Sequence, residues 1–364
     1  MPPLPLEVER VAGEIPREVA AATGSQRGLG DAVFAAASAD GTVVALQLNV
    51  PSPTGVVVLR NDGGRISAST ARGNLLAGTS PMVGDAPEGA TEVTIHELTK
   101  GAVYRAPLRV TAADGGGPPP DFEGACCGWW DGTRWRASLA YPAAGLLRVA
   151  DGGDWALADW YRPNDARPVW RHPLVGRVVD AVVTPRVELA VMYTLGPQGG
   201  TLTAYLADGG RQTWQVPLPD GARNGALVVI DDERIAVVVA DRARCETCAA
   251  LEVRDLADGA LLQRIALGSG AFPSVVDRGE TVQLGVAAGE VWVRTAARRS
   301  VGSACRLDVY DLASGAQRHP EAPWAELFAD CGSLAQVAPT ADGLAAIHPT
   351  ALWGFDYVRF DRAP

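Results

Sequence analysis

A chain of 364 residues, 47% hydrophobic and 20% charged, has the composition of a globular protein with a large core and excludes a disordered one. The formal net charge of −10 sets the average surface against phosphate backbones and anionic membranes. Nucleic acid is therefore not an expected partner, although a local arginine patch could hold an anion.

The N-terminus, Met1-Pro2-Pro3-Leu4-Pro5-Leu6-Glu7, lacks the basic and apolar regions of a secretory signal. No apolar run is long enough to span a bilayer, so no transmembrane segment is expected. Leu6–Ile15 is compatible with a strand, and a short helix around Arg17–Ala22 is the competing reading. Gly24-Ser25-Gln26-Arg27-Gly28-Leu29-Gly30 is rich in glycine but does not join a strand to a helix, so it is not a dinucleotide loop. Lys100, the only lysine, stands in Leu98-Thr99-Lys100-Gly101. That context excludes a Walker A loop and leaves lysine chemistry only a residue in a hairpin turn.

Farther along, a short pattern recurs. It appears as Val149-Ala150-Asp151-Gly152, Leu206-Ala207-Asp208-Gly209, Leu256-Ala257-Asp258-Gly259 and Leu312-Ala313-Ser314-Gly315. Looser copies are Asn61-Asp62-Gly63-Gly64 and Thr99-Lys100-Gly101. Asp-Gly and Ser-Gly supply the positive φ of a tight hairpin, and β-branched residues flank them. The four close copies lie roughly 50–57 residues apart, the length of one four-stranded propeller blade with modest loops. In one unit the strands read Ala226–Ile230, Ile235–Ala240, Leu251–Leu256 and Leu261–Leu267. The Val, Ile and Ala runs suit strands buried on both faces.

The expected fold is a single all-β domain over 1–364, a β-propeller of about seven four-stranded blades, with six or eight as alternatives. The units run near Asp31–Ser67, Asn74–Val110, Gly124–Trp160, Val178–Leu218, Ala226–Leu267, Ser274–Trp324 and Ser333–Phe360. The second unit is thin. The chain ends on a strand-like stretch, Trp353–Phe360, so the N-terminal segment, 1–25, is expected to complete the last blade and leave no free edge.

Ala204-Tyr205-Leu206-Ala207-Asp208-Gly209-Gly210-Arg211-Gln212-Thr213-Trp214 resembles the Ala-x-Asp-x-x-x-Gly-x-x-x-Trp repeat of PQQ-like propellers, relatives of the WD40-like ones. That family includes quinoprotein dehydrogenases and outer-membrane assembly scaffolds. Trp160 is a displaced copy of the tryptophan, and Leu262 and Arg318 stand where it would be expected. The resemblance implies the fold and no cofactor.

Six cysteines are present: Cys126, Cys127, Cys245, Cys248, Cys305 and Cys331. On the blade map they fall in or beside inter-blade connections and loops joining second to third strands, which open on one face. One reading is disulfides, Cys245–Cys248 and Cys305–Cys331, in an oxidising compartment. A second is a metal site built from the same four residues, with Cys245-Glu246-Thr247-Cys248 as half a zinc set. A third is free thiols. Cys126 and Cys127 are expected on opposite faces of a strand.

Trp129 and Trp130 read either as ligand-binding aromatics or as packing between blades. The loop Tyr161–His172 is expected to join two units on the cysteine face. Tyr161, Arg162, Arg167, Trp170, Arg171 and His172 are its candidate binding residues, because Arg and Trp are common anchors of interfaces. The histidines His96, His172, His319 and His348 form no ligating pair, and no nucleophile elbow is present. Asp231-Asp232-Glu233 reads as a solvated turn.

The functional expectation is a non-catalytic binding or scaffold propeller engaging a protein or peptide partner through its loop-rich face. The cysteines favour an extracytoplasmic bacterial setting, periplasmic or cell-surface, over the cytoplasmic alternative to which the missing signal points. One alternative is a hydrolase, lyase or quinoprotein-like enzyme at the central channel, where Asp180, Asp277 and Asn224 are the nearest polar candidates. Another is a subunit of a larger assembly, which predicts an exposed apolar patch.

Overall fold

The runs of Val, Ile, Leu and Ala fold as the middle strands of antiparallel four-stranded meanders, because there both faces of a strand are covered by a neighbouring meander. The structure is a computed structural model that describes residues 6–48, 50, 55–78, 81–85, 92–107, 133–138, 145–151, 156–162, 165, 167–184, 189–222, 225–245, 248–267, 280–287, 289–298, 303–318, 336–340 and 343–362.

Blade 1 comprises Ala32–Ala37, Val43–Leu48, Val56–Asp62 and Arg65–Ala71; blade 2, Asn74–Gly78, Met82–Asp85, Glu92–Glu97 and Val103–Pro107. Blade 3 comprises Thr133–Ser138, Gly145–Asp151, Ala156–Tyr161 and Trp170–Leu174; blade 4, Arg177–Thr184, Leu189–Gly196, Gly199–Leu206 and Gln212–Leu218. Blade 5 comprises Leu227–Val229, Arg234–Ala240, Ala249–Asp255 and Leu261–Ala266; blade 6, Glu280–Ala287, Glu290–Arg298, Ser303–Asp311 and Gln317–Arg318. Blade 7 is Gln336–Pro339, Gly343–Pro349 and Gly354–Arg362, and its outer strand is Leu6–Glu14 from the other end of the chain, paired from Leu6↔Arg362 to Glu14↔Gly354. The first and last strands thus close the ring. The competing N-terminal reading also holds, because the helix Arg17–Thr23 follows that strand directly.

Each first strand lies against the first strand of the next blade, and that of blade 7 against that of blade 1. Among the described residues hydrogen bonding gives six sheets, five of four strands and one of eight. The eight-stranded sheet is blades 2 and 3, fused where Arg136 and Ala137 pair in parallel with Ala77 and Gly78. Blade 2, thin in sequence, is a complete meander.

Burial falls from the inside of each blade to its rim. Val43–Leu48 is buried throughout, whereas the outer strand Arg65–Ala71 is half-buried or exposed. Strand alternation divides each middle strand between two interfaces. Val44, Leu46 and Leu48 pack toward blade 7, with Ile347, Phe355 and Tyr357. Val43 and Ala45 pack toward blade 2, with Leu75 and Val83. In blade 5, Ile235, Val237 and Val239 meet Tyr193 and Trp214 of blade 4, while Ala236, Val238 and Ala240 meet Val291 and Tyr310 of blade 6. The core is therefore a circle of inter-blade layers, and each fully buried Val, Leu or Ile side chain in it contributes about 1.5–3 kcal/mol.

The meander fixes two unlike faces. First-to-second and third-to-outer turns open on one, here called the turn face. Second-to-third turns and inter-blade connections open on the other, the loop face. The repeated Leu-Ala-Asp-Gly hairpins of blades 4 and 5 and the Leu-Ala-Ser-Gly hairpin of blade 6 join third to outer strands, as do Asn61–Gly64 and Thr99–Gly101. Val149-Ala150-Asp151-Gly152 is out of phase, because Asp151 ends the second strand of blade 3.

Candidate functional site

The expected loop Tyr161–His172 does not join two blades. Blade 3 extends past Trp160 to Leu174, and Trp170-Arg171-His172-Pro173-Leu174 is its outer strand. A proline is tolerated on such an edge, where its missing N–H costs no ladder bond. Residues 162–169 therefore replace the tight third-to-outer turn of the other blades. By strand parity Arg162 and Val169, at the two ends of this stretch, lie on the turn face, opposite the Cys245–Cys248 turn.

Alternation along this strand sends its side chains to two interfaces. Trp170 and His172 face blade 4. The Trp170 indole N–H donates to the Ala207 carbonyl at 2.9 Å, and His172 Nε2–H donates to the Gly210 carbonyl at 2.6 Å. That bond fixes the His172 tautomer. Tyr205 stacks on His172 with ring centroids 4.6 Å apart and on Trp170 at 5.7 Å. Burial pushes the Tyr205 phenol pKa above its ordinary value.

Arg171 faces the other way and donates Nε–H to Asp159 Oδ1 at 2.8 Å, while the hydroxyl of Tyr161 donates to Asp159 Oδ2 at 3.2 Å. Asp159 and Tyr161 are fully buried. Burial works against the charge of Arg171, but the Asp159 carboxylate outweighs it and the guanidinium pKa lies above its ordinary value. Of the six candidates only Arg162 and Arg167 are exposed, and Arg162 Nη2 lies 3.5 Å from Asp208 of blade 4. Trp129 and Trp130 lie outside the described residues.

The same device recurs one blade on. Trp214, in the outer strand of blade 4, donates its indole N–H to the Leu256 carbonyl of blade 5 at 2.7 Å. Gly210 and Gly259, the turn glycines that face the two indoles, have φ of 68° and 76°, and a Cβ on either would overlap its tryptophan. Trp170 is thus the second copy of the repeat tryptophan. Trp160 belongs to the third strand. At the next boundary Gln263 and Ile265, rather than Leu262, face Gly315.

Among the axial candidates, Asp180 is described. Its Oδ2 accepts the Leu227 N–H at 2.8 Å, bridging the first strands of blades 4 and 5, and its Oδ1 accepts the Ala181 N–H. Asn224 and Asp277 lie outside the described residues. No group of three or more His, Cys, Asp or Glu among the described residues could hold a metal ion.

Of the cysteine pairings, Cys245–Cys248 is a disulfide that closes the second-to-third turn of blade 5 on the loop face. Cys305 lies near the start of the third strand of blade 6, Ser303–Asp311, opposite Ala296, at the same end. Cys126, Cys127 and Cys331 lie outside the described residues, and with them the expected Cys305–Cys331 bond. Sequence reasoning missed one polar cluster. Glu252 takes Arg254 at 2.6 Å and Arg264 at 3.1 Å, and Arg264 also reaches Asp241 at 3.3 Å and Asp220 at 3.5 Å. The signal available was the alternation of charges, Glu252 and Arg254 on one strand with Arg264 on the next. No helix among the described residues is long and apolar enough to cross a membrane.

The closed ring of meanders defines the chain as a propeller of WD40-like architecture. Two solved structures match it over nearly its whole length. The WD40 domain of coronin from Toxoplasma gondii is 12% identical, with a TM-score of 0.55 over 100% of this chain and 88% of that one. The β-propeller domain of Cps50 (Swd1) from Myceliophteria thermophila is 11% identical, with a TM-score of 0.54 over 92% of this chain and 97% of that one. At such identities the likeness is one of fold. No protein-family model matches the chain, and no curated protein matches it in sequence.

Proposed function

We propose that the protein is a non-catalytic binding propeller whose loop face takes a protein or peptide partner. The observation that carries this reading is the inequality of the two faces. The turn face is closed mostly by tight hairpins whose residues bond to one another, as Asp311 does with Ser314. On the loop face the outer strands of blades 2, 5 and 6 end at Pro107, Ala266 and Arg318, and the next blades begin at Thr133, Glu280 and Gln336, each after a long stretch of sequence. Long connections on a rigid scaffold are where recognition residues concentrate. Trp129 and Trp130 stand in sequence between Pro107 and Thr133, where one strand ends and the next begins at this face. Asp180, the described axial carboxylate, is occupied in holding two blades together, which supports a binding role over turnover at the channel. The Cys245–Cys248 disulfide fits an extracytoplasmic setting.

The test is site-specific photocrosslinking in extracts of the source cells, with the probe at exposed Arg242 on the loop face or exposed Asp258 on the turn face. The reading expects one discrete protein adduct from position 242 and none from position 258. An adduct from 258 alone, or none from either, overturns it.

A further inference from the structure

We propose that Cys245–Cys248 is a reversible thiol–disulfide exchange site, with Cys245 as the sulfur that an incoming thiolate attacks. The turn it spans does not need the bond to stay closed. The backbone already closes it four times: Asp241 N–H to Cys248 O at 2.8 Å, Arg244 N–H to Asp241 O at 3.0 Å, Cys245 N–H to Asp241 O at 3.1 Å and Cys248 N–H to Cys245 O at 3.2 Å. A cross-link over a sequence separation of 3 also removes little freedom from the unfolded chain, since the entropic gain grows with loop length. A bond that contributes so little to folding is free to break and re-form without loss of the blade.

The two sulfurs are unequal. Cys248 is buried beside Ala249 at the start of the third strand, with 5% of its surface exposed, whereas Cys245 is half-buried on the loop face. Access therefore selects Cys245. Arg242 and Arg244, both exposed, bring positive charge to a turn that also carries Glu246 and Asp241, the latter paired with Arg264 at 3.3 Å, and Arg244 is anchored by its bond to the Leu267 carbonyl at 3.2 Å. Cationic neighbours favour the thiolate, the reactive form of a cysteine.

The co-reactant is a dithiol. Its thiolate attacks Cys245 Sγ, the Cys245–Cys248 bond breaks, and the electron pair leaves on Cys248 Sγ, which takes a proton from solvent. The second thiol of the reagent, as thiolate, then attacks the reagent's own sulfur in the mixed disulfide and releases Cys245 as thiolate. The protein disulfide gains two electrons, and the dithiol is oxidised to a disulfide. Oxidation of the protein runs the same steps in reverse. Nothing in this depends on a partner binding the loop face.

The experiment is a redox titration of the folded protein in dithiothreitol buffers, read by differential alkylation and peptide mass spectrometry at 245 and 248 alone, with circular dichroism in parallel. The pair is expected to titrate fully and reversibly while the dichroism spectrum stays unchanged. In addition, Cys248→Ser with oxidised glutathione is expected to trap a mixed disulfide at Cys245 about tenfold faster than Cys245→Ser traps one at Cys248. Resistance of the pair to reduction until denaturant unfolds the protein overturns the proposal, and so does faster trapping at Cys248.

Discussion

The indole of Trp170 reaches across a blade boundary to the carbonyl of Ala207, and Trp214 repeats the gesture one blade later toward Leu256. In each case an outer-strand ring lies on the glycine of the next blade's hairpin, so the turn and the ring specify each other.

Replacing either tryptophan with alanine removes a large buried side chain and a hydrogen bond together. Trp170→Ala and Trp214→Ala are each expected to lower stability by about 3–5 kcal/mol. Trp214→Phe keeps most of the packing and strands the Leu256 carbonyl, at about 1–3 kcal/mol. Urea denaturation midpoints check both, and a loss below about 1 kcal/mol for Trp214→Ala contradicts the packing role.

The neighbouring glycines of one hairpin separate two effects. Gly209 and Gly210 both have positive φ, but a Cβ on Gly209 meets nothing within 4 Å while one on Gly210 overlaps Trp170. Gly209→Ala is expected to cost about 1–2 kcal/mol of backbone strain. Gly210→Ala adds a clash to the same strain and is expected to lower the melting temperature clearly further. Equal thermal shifts for the two variants contradict the ring-on-glycine contact.

Asp180 offers a test that distinguishes scaffold from channel chemistry. Asp180→Ala leaves the Leu227 N–H without its acceptor and is expected to cost about 1–3 kcal/mol. Partner binding at the loop face is expected to persist in the folded variant, measured by the same crosslinking adduct. Loss of that adduct at full stability would place Asp180 in the binding machinery instead.

Acid stability has one defined contributor in blade 6. Hydrogen bonds from Arg318 and then from Ser314 hold the Asp311 carboxyl at about 2, below its ordinary 3.8. The folded value is the depressed one, so the stabilisation is complete above the unfolded value and drains away as pH falls from about 4 to about 2. Asp311→Asn is expected to flatten this part of the stability–pH curve while leaving the rest. Thermal melts between pH 2 and pH 5 read it directly, and a curve parallel to that of the parent protein refutes the assignment.

Much of this architecture can be read from the chain, for reasons that particular residues make plain. Asp258-Gly259 and Ser314-Gly315 mark hairpins because few residue pairs adopt the backbone that a tight turn demands. Val237, Val238 and Val239 mark a middle strand because both its faces are buried. Trp170 escaped because the repeat is counted from a tight turn, and blade 3 has residues 162–169 in place of one. The spacing rule then points to Trp160, a residue of the third strand. The strand Trp170–Leu174 was hidden for a second reason: Arg171, His172 and Pro173 satisfy no strand pattern until Asp159 and Gly210, distant in sequence, supply their partners. Asp180 reads as an axial candidate because it stands near the start of an inner strand; the hydrogen bond it accepts from Leu227 joins two blades, and no local pattern reveals that.

The pairing of Leu6 with Arg362 also orders events in time. Leu6–Glu14 is synthesised before the strand that receives it, Gly354–Arg362, so it has no edge to join while the blades between them are made. Six blades can assemble behind it, but the circle stays open until Gly354–Arg362 is available. Closure is then a long-range step that joins two strands far apart in sequence, the slowest kind of contact to find. Until it happens, Leu6–Glu14 and Gly354–Arg362 are two unpaired edges on the same molecule, and a second nascent copy offers each of them a partner.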